Sequence, residues 1–109
     1  MRAVLLLLSG GFDSPVAGAL LQQKGFSVAA VHFSQEPYTD NEPELKARKL
    51  ASLLGFSPFA VLNISRELKR IADTCEKKYY FVLMKRLMLR KAQALATEQG
   101  CDALATGES

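Results

Sequence analysis

The chain has 109 residues, 49% of them apolar and 23% charged. That length and mixture bound it to one globular domain able to bury about two-thirds of its unfolded surface, and exclude a second domain, a disordered chain or a fibrous one. Net charge is +3, but it is unevenly spread: residues 66–91 hold nine basic side chains against three acidic ones, so this segment alone carries +6 and the rest of the chain −3. A local basic surface attracts phosphates or nucleic acid, or is simply a solvated helix face.

Taken in order, short apolar runs alternate with longer segments of helical period, the pattern of βαβ units around a parallel sheet. Residues 3–8 are apolar on both faces, as a central parallel strand requires. The run is far shorter than the roughly 20 residues that span a bilayer and no small-residue cleavage pattern follows it, so the reading is cytoplasmic, with no membrane contact. A first helix is predicted from Pro15, with Ser14 as its cap, to Lys24, with Gly25 as a left-handed stop. Val16, Ala17, Leu20 and Leu21 form its inward stripe. Residues 27–33 (SVAAVHF) read as the second strand and SQEPYTDN as a loop at the carboxyl end of the sheet. A second helix over 42–54 turns Leu45, Leu50, Leu53 and Leu54 inward and stops at Gly55. The third strand is predicted over 59–64, and Ser65 caps a third helix carrying Leu68, Ile71 and Ala72. After a break over 73–78, a fourth helix over 79–98 turns Tyr80, Leu83, Met84, Leu87, Ala94 and Leu95 inward and Arg86, Arg90, Gln93 and Thr97 outward. Lys85 projects with Leu89, Ala92 and Ala96, at the border of the buried face. A fourth strand begins at 103–106. The expected fold is α/β, a doubly wound parallel sheet of about four strands.

Cys75 and Cys101 are 26 positions apart, with no CxxC and no histidine nearby. Neither a zinc site nor a disulfide framework is indicated, and both read as reduced thiols.

The chemistry concentrates in LLLLSGGFDSP, residues 5–15. If a central strand ends at Leu8 and a helix begins at Pro15, residues 9–14 form the first β-to-α turn, on the edge of an open α/β sheet where ligands bind. Gly10 and Gly11 have no Cβ, so their amides can approach a ligand closely. Ser9 and Ser14 add hydroxyls, and the helix end adds free N–H groups with about half a positive charge. Together they make a cradle for phosphate. It is neither a GxxxxGK[ST] loop nor a GxGxxG turn, because the glycines are adjacent and no lysine follows at the required spacing. A GxSxG elbow fails as well. Asp13 would repel phosphates unless a magnesium ion bridged them, since Mg²⁺ favours one or two carboxylates with phosphate oxygens. The other role for Asp13 is helix capping alone.

SGGFDS resembles the PP-loop of the ATP pyrophosphatases, which cleave ATP between the α and β phosphates and share an adenine nucleotide alpha hydrolase-like fold. SGGFDSPVAG, AVHF followed by PYT, the LMKRLMLRKA helix and the terminal TGES, in this order and spacing, are similar to the PP-loop domain of the tRNA 4-thiouridine synthetase family, also called tRNA uracil sulfurtransferase or thiamine biosynthesis sulfur-transfer proteins. The resemblance runs from the first strand to the last residue. It implies ATP and Mg²⁺ as cofactors, tRNA as a partner, adenylation of a uridine O4 with release of pyrophosphate, and displacement of AMP by a persulfide from a separate sulfur donor. By matching positions, it implies that Leu7 and Leu8 contact the nucleotide, that Ser9, Gly10, Gly11, Asp13 and Ser14 surround the pyrophosphate with Asp13 in catalytic and metal-binding duty, and that His32 and Phe33 meet the adenosine. Lys85 matches a nucleotide-binding lysine, and Gly107 a glycine after the fourth strand. Read without the resemblance, His32 is a hydrogen-bonded core residue and Phe33 plain core. Buried at a border, Lys85 would need an anion. Arg86 and Arg90 face either tRNA phosphates or water, and Tyr38 and Thr39 shape the substrate mouth.

The likeness has limits. Longer members of the family carry a ferredoxin-like segment and a THUMP RNA-binding domain before the PP-loop, and a sulfur-carrying cysteine well beyond TGE; neither Cys75 nor Cys101 matches it. The expectation is therefore a PP-loop ATP-binding domain over 1–109 that is truncated or completed by another chain, with an open sheet edge suited to a second copy. Two rivals stand beside the sulfurtransferase reading: PP-loop chemistry on another small acceptor, and a module that binds ATP without turnover.

Overall fold

The computed structural model describes residues 2–8 and 13–106, apart from the side chain of Asp13. The elements follow the predicted order: β1 (Ala3–Leu7), α1 (Asp13–Gln23), β2 (Ser27–Ser34), α2 (Glu42–Leu54), β3 (Phe59–Asn63), α3 (Ser65–Thr74), α4 (Lys77–Gln99) and β4 (Ala103–Ala105). All strands are parallel, in the order β3-β2-β1-β4. From β1 the chain steps outward to β2 and β3, then returns to the other side of β1, so the order reverses between β1 and β4. The residues that follow these two strands, 9–12 and from 107, lie outside the described residues.

Alternation along the two inner strands splits the core in two. Leu5, Ala29, Val31 and Phe33 pack with Ile64, Leu68, Ala92 and Ala96, on the α3/α4 side. Leu6, Leu8, Val28 and Ala30 pack with Ala47, Ala51 and Phe56, on the α1/α2 side. Both faces of the sheet are covered, which is why β1 and β2 read as unbroken apolar runs.

Helix ends follow local chemistry. Gly25, Gly55 and Gly100 all adopt positive φ, at 93°, 75° and 74°, and stop α1, α2 and α4 in the left-handed geometry open to glycine. α1 begins at Asp13, two residues before the predicted start. The side-chain acceptor at the start of α3 is Asn63, not Ser65: Asn63 Oδ1 accepts from the Ser65 N–H at 2.9 Å and from the Ser65 hydroxyl at 2.7 Å. The break between α3 and α4 is only Cys75 and Glu76.

The inward stripes differ from expectation in one consistent way. Val16 and Leu20 of α1 are 56% and 52% exposed, and Leu45 and Leu53 of α2 are 53% and 71% exposed. The buried helical positions are smaller: Gly18, Ala47 and Ala51. A methyl group placed on Gly18 would sit 2.8 Å from Leu6 Cδ2 and 2.9 Å from Phe56 Cε1, so α1 lies too close to the sheet for a side chain there. In α4 the fully buried positions are Ala92 and Ala96, while Ala94 is exposed. Small residues take the closest helix–sheet approach, while Leu21, Leu50, Leu54, Tyr80, Met84, Leu87 and Leu95 pack at the flanks of the core as expected.

Candidate functional site

The site grows from a mismatch in strand length. Leu7 is in register with Val31, so β2 continues past β1 through His32, Phe33 and Ser34. The Leu8 N–H donates to the Val31 carbonyl at 2.9 Å, and His32 Nδ1 lies 3.2 Å from the Leu8 carbonyl. A carbonyl oxygen only accepts, so Nδ1 carries the proton. His32, which is 6% exposed, thereby ties the end of β1 to β2 and leaves Nε2 for other contacts.

Above this step is a cavity of about 220 Å³ at the carboxyl edge of the sheet. Leu7, Leu8, His32, Phe33 and Ser34 form its floor, Gln35, Thr39 and Asp40 one wall, and Pro43 and Glu44 from the first turn of α2 another; Met88 reaches in from α4. Hydrogen bonds hold the wall in place. Ser34 Oγ accepts from the Glu36 N–H at 3.2 Å, Asn63 Nδ2 donates to the Glu36 carbonyl at 2.9 Å, and Asp40 Oδ1 accepts from the Glu42 N–H at 3.2 Å. Met88 is half-buried and Leu8 nearly inaccessible, so the lining is apolar with a few convergent polar groups, the usual make-up of a small-molecule site.

Four predicted residues, Leu7, Leu8, His32 and Phe33, are thus brought together. Ser14 is buried in the first turn of α1, whose N-terminus follows β1 at the same edge of the sheet. Ser9, Gly10, Gly11 and Gly107 lie outside the described residues, and of Asp13 only the backbone, opening α1, is described. Lys85 is exposed and does not line the cavity. The expected buried border is corrected: α4 contacts β1 and β4 through its later turns, where Ala92 and Ala96 lie, and Lys85 sits nearer the helix start. The desolvation argument for an anionic partner therefore lapses, and position alone, one turn before Met88, connects Lys85 with the cavity. Thr39 lines the mouth as expected, whereas Tyr38 is 63% exposed.

Ser34, Gln35, Asp40, Pro43, Glu44 and Met88 were not singled out from the sequence. The loop SQEPYTDN had been placed at the ligand edge, which was the available signal for the first three. Met88 reads as ordinary core of a long helix, and nothing in its neighbours marks it.

Both thiols are free and half-buried. Burial, with Asp102 next to it, pushes the Cys101 thiol up, which disfavours the nucleophilic thiolate. Among the described residues no cluster of three or more His, Cys, Asp or Glu side chains is set to hold a metal, and no helix is long and apolar enough to cross a membrane.

Comparison with known proteins agrees with this geometry. The chain is 38% identical to a probable tRNA sulfurtransferase of Alkaliphilus oremlandii over 96% of its own length and 28% of the relative's. It is likewise 38% identical to one of Brevibacillus brevis, over 97% and 28%. The chain therefore spans less than a third of the curated relatives it matches. Among solved structures, a 4-thiouridine synthetase–RNA complex with bound ATP superposes with a TM-score of 0.91 at 32% identity, covering 98% of this chain and 29% of that one. An NH3-dependent NAD synthetase from Campylobacter jejuni superposes at a TM-score of 0.75 with 16% identity, over 94% and 45%, and so shares the fold. The model of the thiamine biosynthesis protein (ThiI) family matches residues 1–109 from end to end, and the chain belongs to that family of tRNA sulfurtransferases.

Proposed function

We propose that this chain binds ATP and activates a tRNA uridine for sulfur transfer. The carrying observation is the cavity where β2 overruns β1, which gathers Leu7, Leu8, His32 and Phe33. Its volume of about 220 Å³ is below the ~300–1,000 Å³ usual for whole ligands, so it suits the nucleoside end of ATP. Asp40 and Glu44 on its walls can accept from amino or hydroxyl groups and would repel phosphate. The triphosphate then runs toward the turn of Ser9, Gly10 and Gly11 and the N-terminus of α1, where free N–H groups and the helix dipole favour an anion. The relative solved with bound ATP and RNA supports both partners.

In this reading the uridine O4 attacks the α-phosphorus, and pyrophosphate leaves. The terminal sulfur of the donor's persulfide then adds at C4 and AMP leaves with the original oxygen; a second thiol of the donor attacks the S–S bond of this adduct, leaving the sulfur on C4 and the donor as a disulfide. Asp13 would supply the carboxylate for a Mg²⁺ ion, which when bound would offset the charge of the phosphates. His32 holds the end of β1 and so aims the segment that follows it; Ser14 and Gly107 are assigned to nucleotide binding, and Lys85 to the phosphates from α4. Cys75 and Cys101 take no part, and the sulfur comes from a separate donor protein.

Incubation with Mg²⁺ and α-labelled ATP, with and without unmodified tRNA, tests the proposal. AMP and pyrophosphate that depend on tRNA are expected. ADP, or ATP binding without cleavage, overturns it. Asp13→Ala is expected to abolish turnover more than binding, and unchanged activity would leave Asp13 only its capping role.

A further inference from the structure

We infer that the tip of the α3–α4 hairpin is a docking site for an unpaired RNA base beside the reaction site, an inference that rests on the reading of RNA as the acceptor. α4 has 23 residues, about 34 Å at 1.5 Å per residue, whereas the strands it packs on span only 3 to 5 residues. Met88 reaches the cavity at the carboxyl edge, so the helix before it projects by about 16 Å beyond that edge. The molecule is accordingly long in one direction, 43 Å against 26 Å in the other two.

Phe81, Lys85, Met88, Ala92 and Ala96 fall at intervals of four, three, four and four, which places them on one face of the helix. Ala92 and Ala96 spend that face on the sheet, and Phe81 carries it past the sheet edge, where it is 67% exposed. Beside it, α3 and α4 enclose a groove of about 290 Å³ lined by Ala72, Cys75, Lys77, Tyr80 and Phe81. Tyr80 and Phe81 meet in a T-shaped contact, with centroids 5.5 Å apart and planes at 81°, while the Phe81 side chain stays largely accessible.

Charge complementarity selects the occupant. Lys77 lines the groove, and Lys69, Arg70 and Lys78 are exposed on the same two helices; Lys78 and Glu76 pair with each other at 3.6 Å, leaving Lys69, Arg70 and Lys77 against Asp73. An apolar protein surface would bury Lys77 without an anion, at a cost in desolvation. A single-stranded nucleic acid satisfies both features: its bases stack on aromatic rings and its phosphates meet lysines. Phe81 is two helical turns from Met88, about 10 Å, so a base held there flanks the nucleotide presented to the cavity. Arg86 and Arg90 lie on the opposite face of α4, directed away from the sheet, and do not contribute.

The test uses the whole chain and a fluorescein-labelled oligouridylate of about eight nucleotides, a length within the range of single-strand sites, followed by anisotropy between about 50 and 200 mM salt. Phe81→Ala should weaken binding by about 5- to 150-fold, the usual loss for one stacking ring, and Phe81→Trp should retain it. Lys77→Gln should reduce the salt slope by about 0.7. Phe81 is exposed, so an unchanged circular dichroism spectrum is expected for both Phe81 variants. Absent binding by the parent chain, or equal binding by Phe81→Ala, overturns the inference. So does a dimer in sedimentation velocity that Phe81→Ala dissociates without altering oligonucleotide affinity, which would make the groove a protein interface. ATP cleavage is read separately: RNA binding that needs Phe81 without AMP formation would sink adenylation and leave the groove, and AMP formation with an indifferent Phe81 would do the reverse.

Discussion

The two ends of α4 put one helical stripe to different uses. In the later turns the stripe is Ala92 and Ala96, 0% and 2% exposed, pressed against β1 and β4. In the early turns it carries Phe81 and is flanked by Tyr79 and Val82, which are 67%, 51% and 52% exposed. Size and burial are inverted along one helix. Where a sheet lies beneath, only a methyl group fits; where the helix overhangs the ligand edge, large side chains stand in the open. Large exposed apolar groups gathered in one patch mark a surface for a partner.

Reversing the pattern at the buried end should have the largest effect. Ala92→Leu forces a branched side chain into a contact with no space, and overpacking of this kind costs about 1–3 kcal/mol; at the upper end, melting should fall by about 10–20 °C. A melting temperature unchanged in calorimetry would show that α4 can lift off the sheet. Gly18→Ala repeats the experiment on the other face of the sheet. The helix gains about 1 kcal/mol from replacing a glycine, but the new Cβ meets Leu6 and Phe56, both buried and held. A net loss of about 1–2 kcal/mol in urea unfolding is expected, and a gain would mean that Phe56 moves aside.

The smallest effect sharpens the contrast between the anchored and overhanging parts. Lys91, level with Ala92, pairs with Glu67 of α3 at 3.4 Å. Glu67 is held below its ordinary value of 4.5, chiefly by a hydrogen bond from its own backbone, against the opposing effect of burial and with help from Lys91. A carboxyl with a lowered folded pKa stabilises the fold above its unfolded value, and that contribution is lost as pH falls through the folded one. Both side chains are 36% exposed, so screening leaves at most about 0.5 kcal/mol. Glu67→Gln should therefore flatten the fall in stability below about pH 4.5 by that amount, as read from urea titrations. A larger change would mean that the pair is more shielded than its exposure implies.

Strand identity, helix order and two glycine stops were legible because each depends on neighbours in the chain: Gly25 and Gly55 take the left-handed conformation expected of them. The predicted starts of α1 and α4 were two residues late, and Asn63 rather than Ser65 supplies the acceptor for α3, since which of two adjacent polar residues turns toward the helix end is a matter of backbone geometry. At the site, Leu7, Leu8, His32 and Phe33 were identified by motif and resemblance and do converge. Lys85 was placed at a buried border by periodicity alone and is exposed, because a helical stripe records direction around the axis and says nothing about where the neighbouring sheet ends.

By itself the amino-acid order determined the alternating α/β elements and the parallel sheet, set by short-range patterns of apolar residues, glycine and caps. Tertiary structure alone decided how near each helix approaches the sheet, so that Gly18, Ala47, Ala51, Ala92 and Ala96 are among the most buried helical positions, beside partly buried Leu21, Leu50, Leu54, Leu87 and Leu95. It also decided how far α4 runs past the sheet and that Met88 would meet His32 and Asp40 around one cavity. Those outcomes depend on distances between elements remote in sequence, and no local pattern encodes a distance of that kind.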